Sequence, residues 1–594
     1  MQPGSFTLSI KNQFLILIII AFGLNANTLF NEYVLDDAIV ITENKFVEKG
    51  IQGIPEILNQ SYFKGYKKLE NLELPGGRYR PFSLMIFAIE YQFFGANPFV
   101  SHLINIILFL LLIALLFKLF NLYLFRQQNP YLAFVTCLLF AVHPIHTEVI
   151  ANVKSRDEII TFVLLIASLL ALIKHSEKRS ISILIVSLLC FFLALLTKET
   201  AAVFVGIAPL ATYFFLNHPL KKSARASIPL FLILIGYLFI RYIIIGVNYT
   251  SANDITNVPY LYATASEAFA TKSYMLIKYL QLLFIPYPLS FEYGFNQIPY
   301  IHIISLPFFI SILFLLVLLA YAIYTFKRRS IFSFSILYFM LTISLASNFI
   351  IDTGTPLSER LLFQPSLAFC IAVSVLYFQT AKRFKLPALS FLIIILVLFS
   401  VKTVLRNSVW KNYDTLVLTD VISCPNSVRI NQFARDIFLS KSINEKNAEL
   451  KISYLKKGTF YGERMIGICP EVPDIYMNLG YAYYNLSDYN QAATIWEKGC
   501  QLEPSDSAAK MFSKILSDEL YKLANGFYEQ GKSDDAINCY LRSIELNNNN
   551  AESWYNLGGN YFLRNDTINA NKAWARVKYL DPKHKFLKED FSKI

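Results

Sequence analysis

The first 400 residues repeat one pattern: apolar stretches of about 17–25 residues, the length that crosses a bilayer as a helix, separated by short polar loops. The stretches lie at about 14–29, 102–124, 131–148, 159–174, 181–197, 200–216, 227–246, 302–325, 331–350, 361–379 and 386–404. The first has no small-residue cleavage site and reads as a retained start-transfer helix. A further apolar stretch, 270–286, carries Lys272 and Lys278. After about Pro425 the long runs stop and the chain reads as ordinary soluble helix. The predicted architecture is all-α: a polytopic membrane domain of about eleven spans over 1–405, a linker at 406–424 and a soluble helical domain at 425–594.

That second domain repeats itself. Tyr476, Leu479, Gly480, Tyr483, Ala492, Trp496 and Pro504 occupy the key positions of a 34-residue helix-turn-helix unit, and Trp554, Leu557, Gly558, Tyr561, Ala570, Trp574 and Pro582 occupy the same ones. Leu520, Leu523, Ala524, Phe527, Ala536 and Tyr540 form a weaker copy between them, and a degenerate copy is expected at 427–460. These are tetratricopeptide (TPR) repeats, which stack into a superhelix whose groove holds extended peptide. The candidate groove residues are Tyr476, Asn478, Tyr483, Tyr555 and Asn556. The bland alternative is a groove that only docks on the membrane domain.

Composition agrees with a membrane protein. Apolar residues make up 55% of the chain and charged residues only 16%, against about 25% in soluble proteins. The net charge of +12 is not a nucleic-acid signal. Residues 425–594 hold 22 Lys/Arg and 21 Asp/Glu, so the excess of 32 over 21 lies in the membrane half, as loop bias requires. The short basic loops hold Arg126, then Lys174, Lys178 and Arg179, then Lys221, Lys222 and Arg225, then Lys327, Arg328 and Arg329, and last Lys382, Arg383 and Lys385. All five fall on one side only if 270–286 lies on, or re-enters, the outer face. The expected topology puts the N-terminus in the cytoplasm and the repeats in the periplasm or lumen. Of seven cysteines none has zinc spacing. Cys424 and Cys469 each precede a proline and are candidates for pairing in an oxidising compartment.

The opposite face mixes acids, bases and histidines. The long first outer loop, 31–101, holds Asp36, Asp37, Arg78 and Arg80. The next holds His143, His146, Glu148, Lys154, Arg156, Asp157 and Glu158. Lys198 and Glu199 sit in a tight turn, Arg241 near the outer end of a span, and Asp352, Glu359 and Arg360 in the last outer loop. Ionisable groups at membrane depth are costly and tend to be functional, so an active site is expected here.

Six segments occur in order: "YVLDDAIVITENKFV", "YRPFSLMIFAIEYQFFGANPFVSHLINIILF", "FAVHPIHTEVIANVKSRDEI", "TKETA", "YLQLLFIPYPLSFEY" and "SERLLFQPSLAFC". With the C-terminal repeats they resemble the TMTC family, named for transmembrane and tetratricopeptide-repeat segments, and its bacterial relatives. Leu35 stands where an aromatic often precedes the acidic pair. The resemblance implies a GT-C glycosyltransferase that uses a polyprenyl-phosphate sugar. O-mannosylation of proteins is the expected activity, in a bacterial inner membrane or, if eukaryotic, the ER membrane. It implies Asp36 as general base, with Asp37 orienting it or the acceptor. From the residues alone, the pair reads equally as a helix N-cap.

The departing phosphate needs fixed cations. Arg80, Arg156, Lys198, Arg241 and Arg360 are candidates, with Glu199 and Glu359 beside them, and each also reads as an ion-paired or snorkelling residue. His143, His146 and Glu148 are read as supporting the outer loop by hydrogen bonds rather than as a metal site; no metal or other cofactor is expected beyond the lipid-linked sugar as co-substrate. Expected partners are that sugar, protein acceptors and membrane lipids. An enzyme acting on a lipid or envelope glycan is the alternative. Ligase-type oligosaccharyltransferases put their large outer loop late in the chain, and a non-enzymatic scaffold would not gather these charges on one face.

Overall fold

The computed structural model describes residues 8–69, 77–246, 258–350, 354–502 and 507–584; Asp352 and Pro504 lie outside them. Among these residues the chain is helical and forms no strand, only an isolated bridge between Asn44 and Tyr66. It divides into two compact units, Met1–Ile430 and Asn431–Ile594.

The first unit opens with α1 (Ile10–Asn25), α2 (Ile54–Asn59), α3 (Pro81–Phe94) and α4 (Pro98–Leu119). Then come α5 (Leu132–Val142), α6 (Thr147–Ala151), α7 (Arg156–Lys178), α8 (Ile181–Thr197) and α9 (Phe204–Phe215). It continues through α10 (Leu220–Ala226), α11 (Ile228–Ile245), α12 (Ala265–Phe284), α13 (Leu306–Phe326) and α14 (Ile331–Ser344). The last are α15 (Ser366–Ala381), α16 (Lys385–Val409) and α17 (Tyr413–Ser423), and α18 (Val428–Asn444) begins in this unit. Each apolar stretch named from the sequence overlaps a helix, although 302–305 lie before α13 and 345–350 after α14. Among the described residues six helical segments are long and apolar enough to cross a membrane, seven if α5 and α6, bent by 53° at His143, count as one, and five shorter apolar helices accompany them.

Caps explain several starts: Ser9 accepts from Asn12 N ahead of α1, and Asn97, followed by Pro98, caps α4. Thr264 and Glu267 form a reciprocal capping box on α12. That 20-residue helix is not among the long apolar ones. α7 is the hub: 61% of its apolar window is buried, against 17% in α13 and α16, whose apolar surfaces stay uncovered by protein and suit lipid. The first turn of α7 therefore carries Arg156, Asp157 and Glu158 into the interior. Residues 406–424 hold the end of α16 and α17, with Trp410, Leu416 and Val417 buried.

The second unit pairs helices along the chain. α18 meets α19 (Ala448–Ile468) through a Phe438–Tyr461 stack with centroids 5.9 Å apart. Next come α20 (Pro473–Asn485) with α21 (Tyr489–Leu502), α22 (Ser507–Glu529) with α23 (Ser533–Leu546), and α24 (Ala551–Leu563) with α25 (Thr567–Leu580). The repeat signature has one physical basis in two copies. Trp496 Nε1 donates to Met477 O at 2.8 Å, and Trp574 Nε1 to Tyr555 O at 3.1 Å. Each indole lies against a glycine, Gly480 and Gly558, where a Cβ would overlap the ring. Cys424 and Cys469 are both free thiols. Replacing Gly558 by Ala should displace Trp574 and cost about 1–3 kcal/mol, seen as a lower unfolding temperature and a red-shifted tryptophan emission; an unchanged melt would show that the indole has room to move.

Candidate active site

The charged residues expected on the outer face converge around the first turn of α7. Asp157 accepts from Arg80 Nη1 at 2.9 Å and from Lys198 Nζ at 3.3 Å. Lys198 also reaches Glu158 at 2.6 Å, and Arg80 Nε donates to Glu199 at 2.8 Å. Arg80, Lys198, Asp157 and Glu158 are buried, while the Glu199 side chain keeps 28% of its exposure. Burial works against the charge on Arg80, but Glu199 and Asp157 outweigh it and hold the guanidinium firmly protonated. Sequence positions about 40 to 119 apart thus close into one network of two cations and three carboxylates.

The acidic pair splits in function. Asp37 is fully buried: it accepts from Val34 N at 2.9 Å and Lys154 N at 2.7 Å, so it ties the first outer loop to the segment entering α7. Burial pushes its carboxyl up to about 7 against those backbone donors. Asp36 instead keeps 41% of its side chain exposed, with Lys154 Nζ and Arg360 Nη1 each 3.9 Å from Oδ2. Partial desolvation raises its pKa, but Lys154, Arg360, Arg429 and Arg78 outweigh that and hold the carboxylate below the usual range. The N-cap reading does not apply: neither Asp side chain accepts from the helical turn that starts at Ala38.

Arg360 is positioned by Glu148, which accepts its backbone N–H at 2.9 Å and its guanidinium at 3.3 Å. Glu148 is buried, and Arg360 is 25% exposed. Glu359 points the other way. It accepts from Ser290 N at 2.5 Å and Tyr293 OH at 2.8 Å, and burial pushes its pKa up to about 8. Asp420, held by Arg406 at 2.5 and 2.8 Å, takes the next amide, Phe291 N, at 2.8 Å. Two buried carboxylates thereby fix the loop that presents Glu292, whose carboxylate lies 3.8 Å from Arg429.

Other predicted residues serve the framework. Arg156 is completely buried, bound to Glu90, to Asn105 Oδ1 at 2.6 Å and to Ser101 O at 2.9 Å, with Phe87 4.5 Å away. Arg241 donates to Gly77 O at 2.9 Å. His143 bonds Leu283 O at 3.0 Å, and His146 bonds Ser366 Oγ at 2.8 Å. Both imidazoles sit among phenylalanine rings, with His146 4.2 Å from Phe140 and His143 4.7 Å from Phe399. Among the described residues no three His, Cys, Asp or Glu side chains converge as a metal site. In the second unit Tyr476 is interior, its hydroxyl on Pro470 O at 2.8 Å, so it packs the repeat and does not line a groove. Asn478 is exposed, Tyr483 bonds Glu463, Tyr555 lies 5.2 Å from the His584 ring, and Asn556 donates to Asn525 Oδ1 at 2.8 Å.

Residues outside the predicted set belong to this arrangement. Arg78, half-buried over the Phe63 ring at 5.4 Å, has no carboxylate partner among the described residues. Burial lowers its pKa, with Arg80 and Arg360 adding to that and Glu199 and Asp36 opposing it, so these cations crowd one another. Lys154, Glu292 and Arg429 complete the surroundings of Asp36. Only Arg78 and Lys154 had been marked by their place in the outer loops.

Replacing Arg156 by Ala should leave Glu90 buried without its cation and cost about 3–5 kcal/mol. Arg156→Met combined with Glu90→Leu should recover most of that in thermal unfolding of the detergent-solubilised chain. Full stability of the single variant would contradict a framework role.

The model described as dolichyl-phosphate-mannose-protein mannosyltransferase matches residues 80–245, and two tetratricopeptide models match 473–506 and 524–563. Protein O-mannosyl-transferase TMTC3 of Homo sapiens is 25% identical across 94% of this chain and 67% of its own length. The Caenorhabditis elegans protein O-mannosyl-transferase F38B6.6 is 26% identical across 70% of this chain and 58% of its own. The chain thus spans about two thirds or less of these relatives. Among solved structures, the Archaeoglobus fulgidus oligosaccharyltransferase covers 76% of this chain and 59% of its own at 13% identity and a TM-score of 0.34. MamA covers 28% and 86% at 15% identity and a TM-score of 0.19. Along 94% of its length, then, the chain is homologous to TMTC-type protein O-mannosyl-transferases, with a mannosyltransferase match in its apolar half and tetratricopeptide repeats after it.

Proposed function

We propose that this protein is a multi-pass membrane glycosyltransferase that moves a sugar, mannose by kinship, from a polyprenyl-phosphate carrier to Ser or Thr hydroxyls of proteins on the periplasmic or lumenal side. Its similarity to protein O-mannosyl-transferases and the mannosyltransferase match at 80–245 support the reaction class. The observation that carries the site assignment is Asp36: an accessible carboxylate among three arginines and Lys154, whose pKa burial lowers to about 7, beside a buried partner that anchors its loop.

In this reading Asp36 takes the acceptor hydroxyl proton as that oxygen bonds to sugar C1. The bond from C1 to the phosphate oxygen breaks, and its electron pair leaves with the phosphate. Arg78 and Arg360 meet the phosphate, since an anion between crowded guanidiniums relieves their repulsion and gains charge-assisted hydrogen bonds. Arg80 and Lys198, each shared between two acids, position that surface. Asn478, Tyr483, Tyr555 and Asn556 belong to the acceptor-binding repeats.

Asp36→Asn should lower turnover by roughly 10²–10⁴-fold, the usual worth of general-base catalysis, while donor capture persists. Arg78→Ala should weaken donor capture instead. Intact-mass analysis of a secreted acceptor and a lipid-donor pull-down separate the two, and near-normal transfer by Asp36→Asn would remove Asp36 from the mechanism. The loop bias gives an independent expectation for sidedness. A reporter active only outside the cytoplasm should work when fused after residue 594 and fail after Lys222; the reverse would invert the topology and expel the site from the proposed compartment.

A further inference from the structure

The repeat unit carries a second recessed surface, distinct from the residues proposed for the acceptor. A cleft of about 540 Å³ lies between α23 and α25, with α24 as its floor. Leu541, Trp554, Leu557 and Tyr561 supply its apolar lining, and Lys572 and Arg576 stand on its α25 wall. The floor residues alternate with Tyr555 and Asn556 along α24, and Asn556 faces α22 through Asn525 and Tyr521. The cleft is thus a separate surface of the same helix.

Its chemistry is one-sided. Leu541 is 36% exposed although large and aliphatic. Trp554 has its polar edge satisfied, Nε1 donating to Asn548 O at 3.1 Å, which leaves the ring as apolar surface. Lys572 is exposed and Arg576 half-buried, and neither has a carboxylate within ion-pair distance among the described residues. Arg576 stacks on Tyr579 at 4.9 Å, which orients the guanidinium without neutralising it. The nearby Asp566 is occupied by Asn569, which donates its backbone N–H at 3.1 Å and its side-chain amide at 2.7 Å.

Lys572 lies near enough to Asp566 to lower its pKa, but neither cation forms an ion pair among the described residues, so the aromatic-floored cleft has a defined complement: one large apolar side chain with carboxylates beside it. We propose that this cleft binds an acidic segment of a partner protein, seating an aromatic or large aliphatic side chain on Trp554 and Tyr561 with neighbouring carboxylates on Lys572 and Arg576. The volume suits one such side chain with adjacent backbone, and the apolar floor is what a bare anion or a lipid headgroup would not need. The assignment stands apart from the transferase reading.

The test uses the full chain in neutral detergent and a fluorescein-labelled peptide, Glu-Asp-Phe-Glu-Asp-Leu, followed by fluorescence anisotropy. Lys572→Glu with Arg576→Glu should weaken binding by about tenfold or more, since each reversal replaces attraction by repulsion. Lys578→Glu, an exposed change on the same helix outside the cleft, should leave binding within about twofold. Exchanging the peptide's Phe for Ser should also weaken it. These changes are at accessible positions, and far-UV circular dichroism checks that the fold is kept. No measurable binding by the wild-type chain, equal binding by the double variant, or equal loss with Lys578→Glu would overturn the proposal. So would capture of phosphatidylglycerol vesicles through Lys572 and Arg576 without peptide binding, which would assign these cations to a membrane surface.

Discussion

A charge taken out of water must find a partner or it undoes the packing around it. The membrane half of this protein obeys that rule at the first turn of α7, the most buried of its long apolar helices. Asp157 and Glu158 would be untenable there alone; Arg80 and Lys198 make them tolerable, and Glu199 balances Arg80 in turn. Arg156, one residue earlier, needs its own acid from α3, which is Glu90. Because the partners come from four separate stretches, satisfying these charges draws the loop 31–101, α3, α7 and the turn before α9 together. The pairing that stabilises the bundle also builds the surface on which Asp36 is displayed.

The same logic separates adjacent carboxylates. Asp37 turns inward and spends its oxygens on backbone amides of Val34 and Lys154. Asp36 is left outward, close to the side chain of the same Lys154. One aspartate sets where its neighbour points. The loop carrying Glu292 is treated alike: Glu359 and Asp420 take successive amides, Ser290 and Phe291, and hold it from beneath.

The repeats were legible because their chemistry is local. Trp574 against Gly558 recurs as Trp496 against Gly480, and each contact lies within 16 residues of sequence. The apolar helices were legible because bilayer-length runs have few other readings. The site was legible only as a collection of charges on one face. Nothing in the residue types distinguishes Arg156, locked onto Glu90, from Arg360, which stays partly exposed. His143 and His146 were read as loop support, and their phenylalanine surroundings come from helices far apart in sequence. Arg78 stood beside Arg80 in the same loop, yet its lack of an acidic partner becomes visible only once Asp157 and Glu199 are seen to choose Arg80. Tyr476 fits its repeat position so well that it is buried by it. Long-range pairing, which periodicity cannot report, accounts for these differences.

The central claim is that Asp36, and not Asp37, is the base. The two have opposite electrostatics, so the pH dependence of initial transfer rates separates them most directly. A carboxylate held below its usual pKa of about 4 stays ionised as pH falls from 8 to 5. The account predicts that transfer to a peptide acceptor keeps its rate over that interval apart from a common dependence on donor binding, measured in parallel. A base with a pKa near 7, as burial gives Asp37, would be half protonated at neutrality and would lose rate about tenfold for each further unit of acidification. An acid limb of that kind, centred near pH 7 and present at saturating donor, would contradict the assignment.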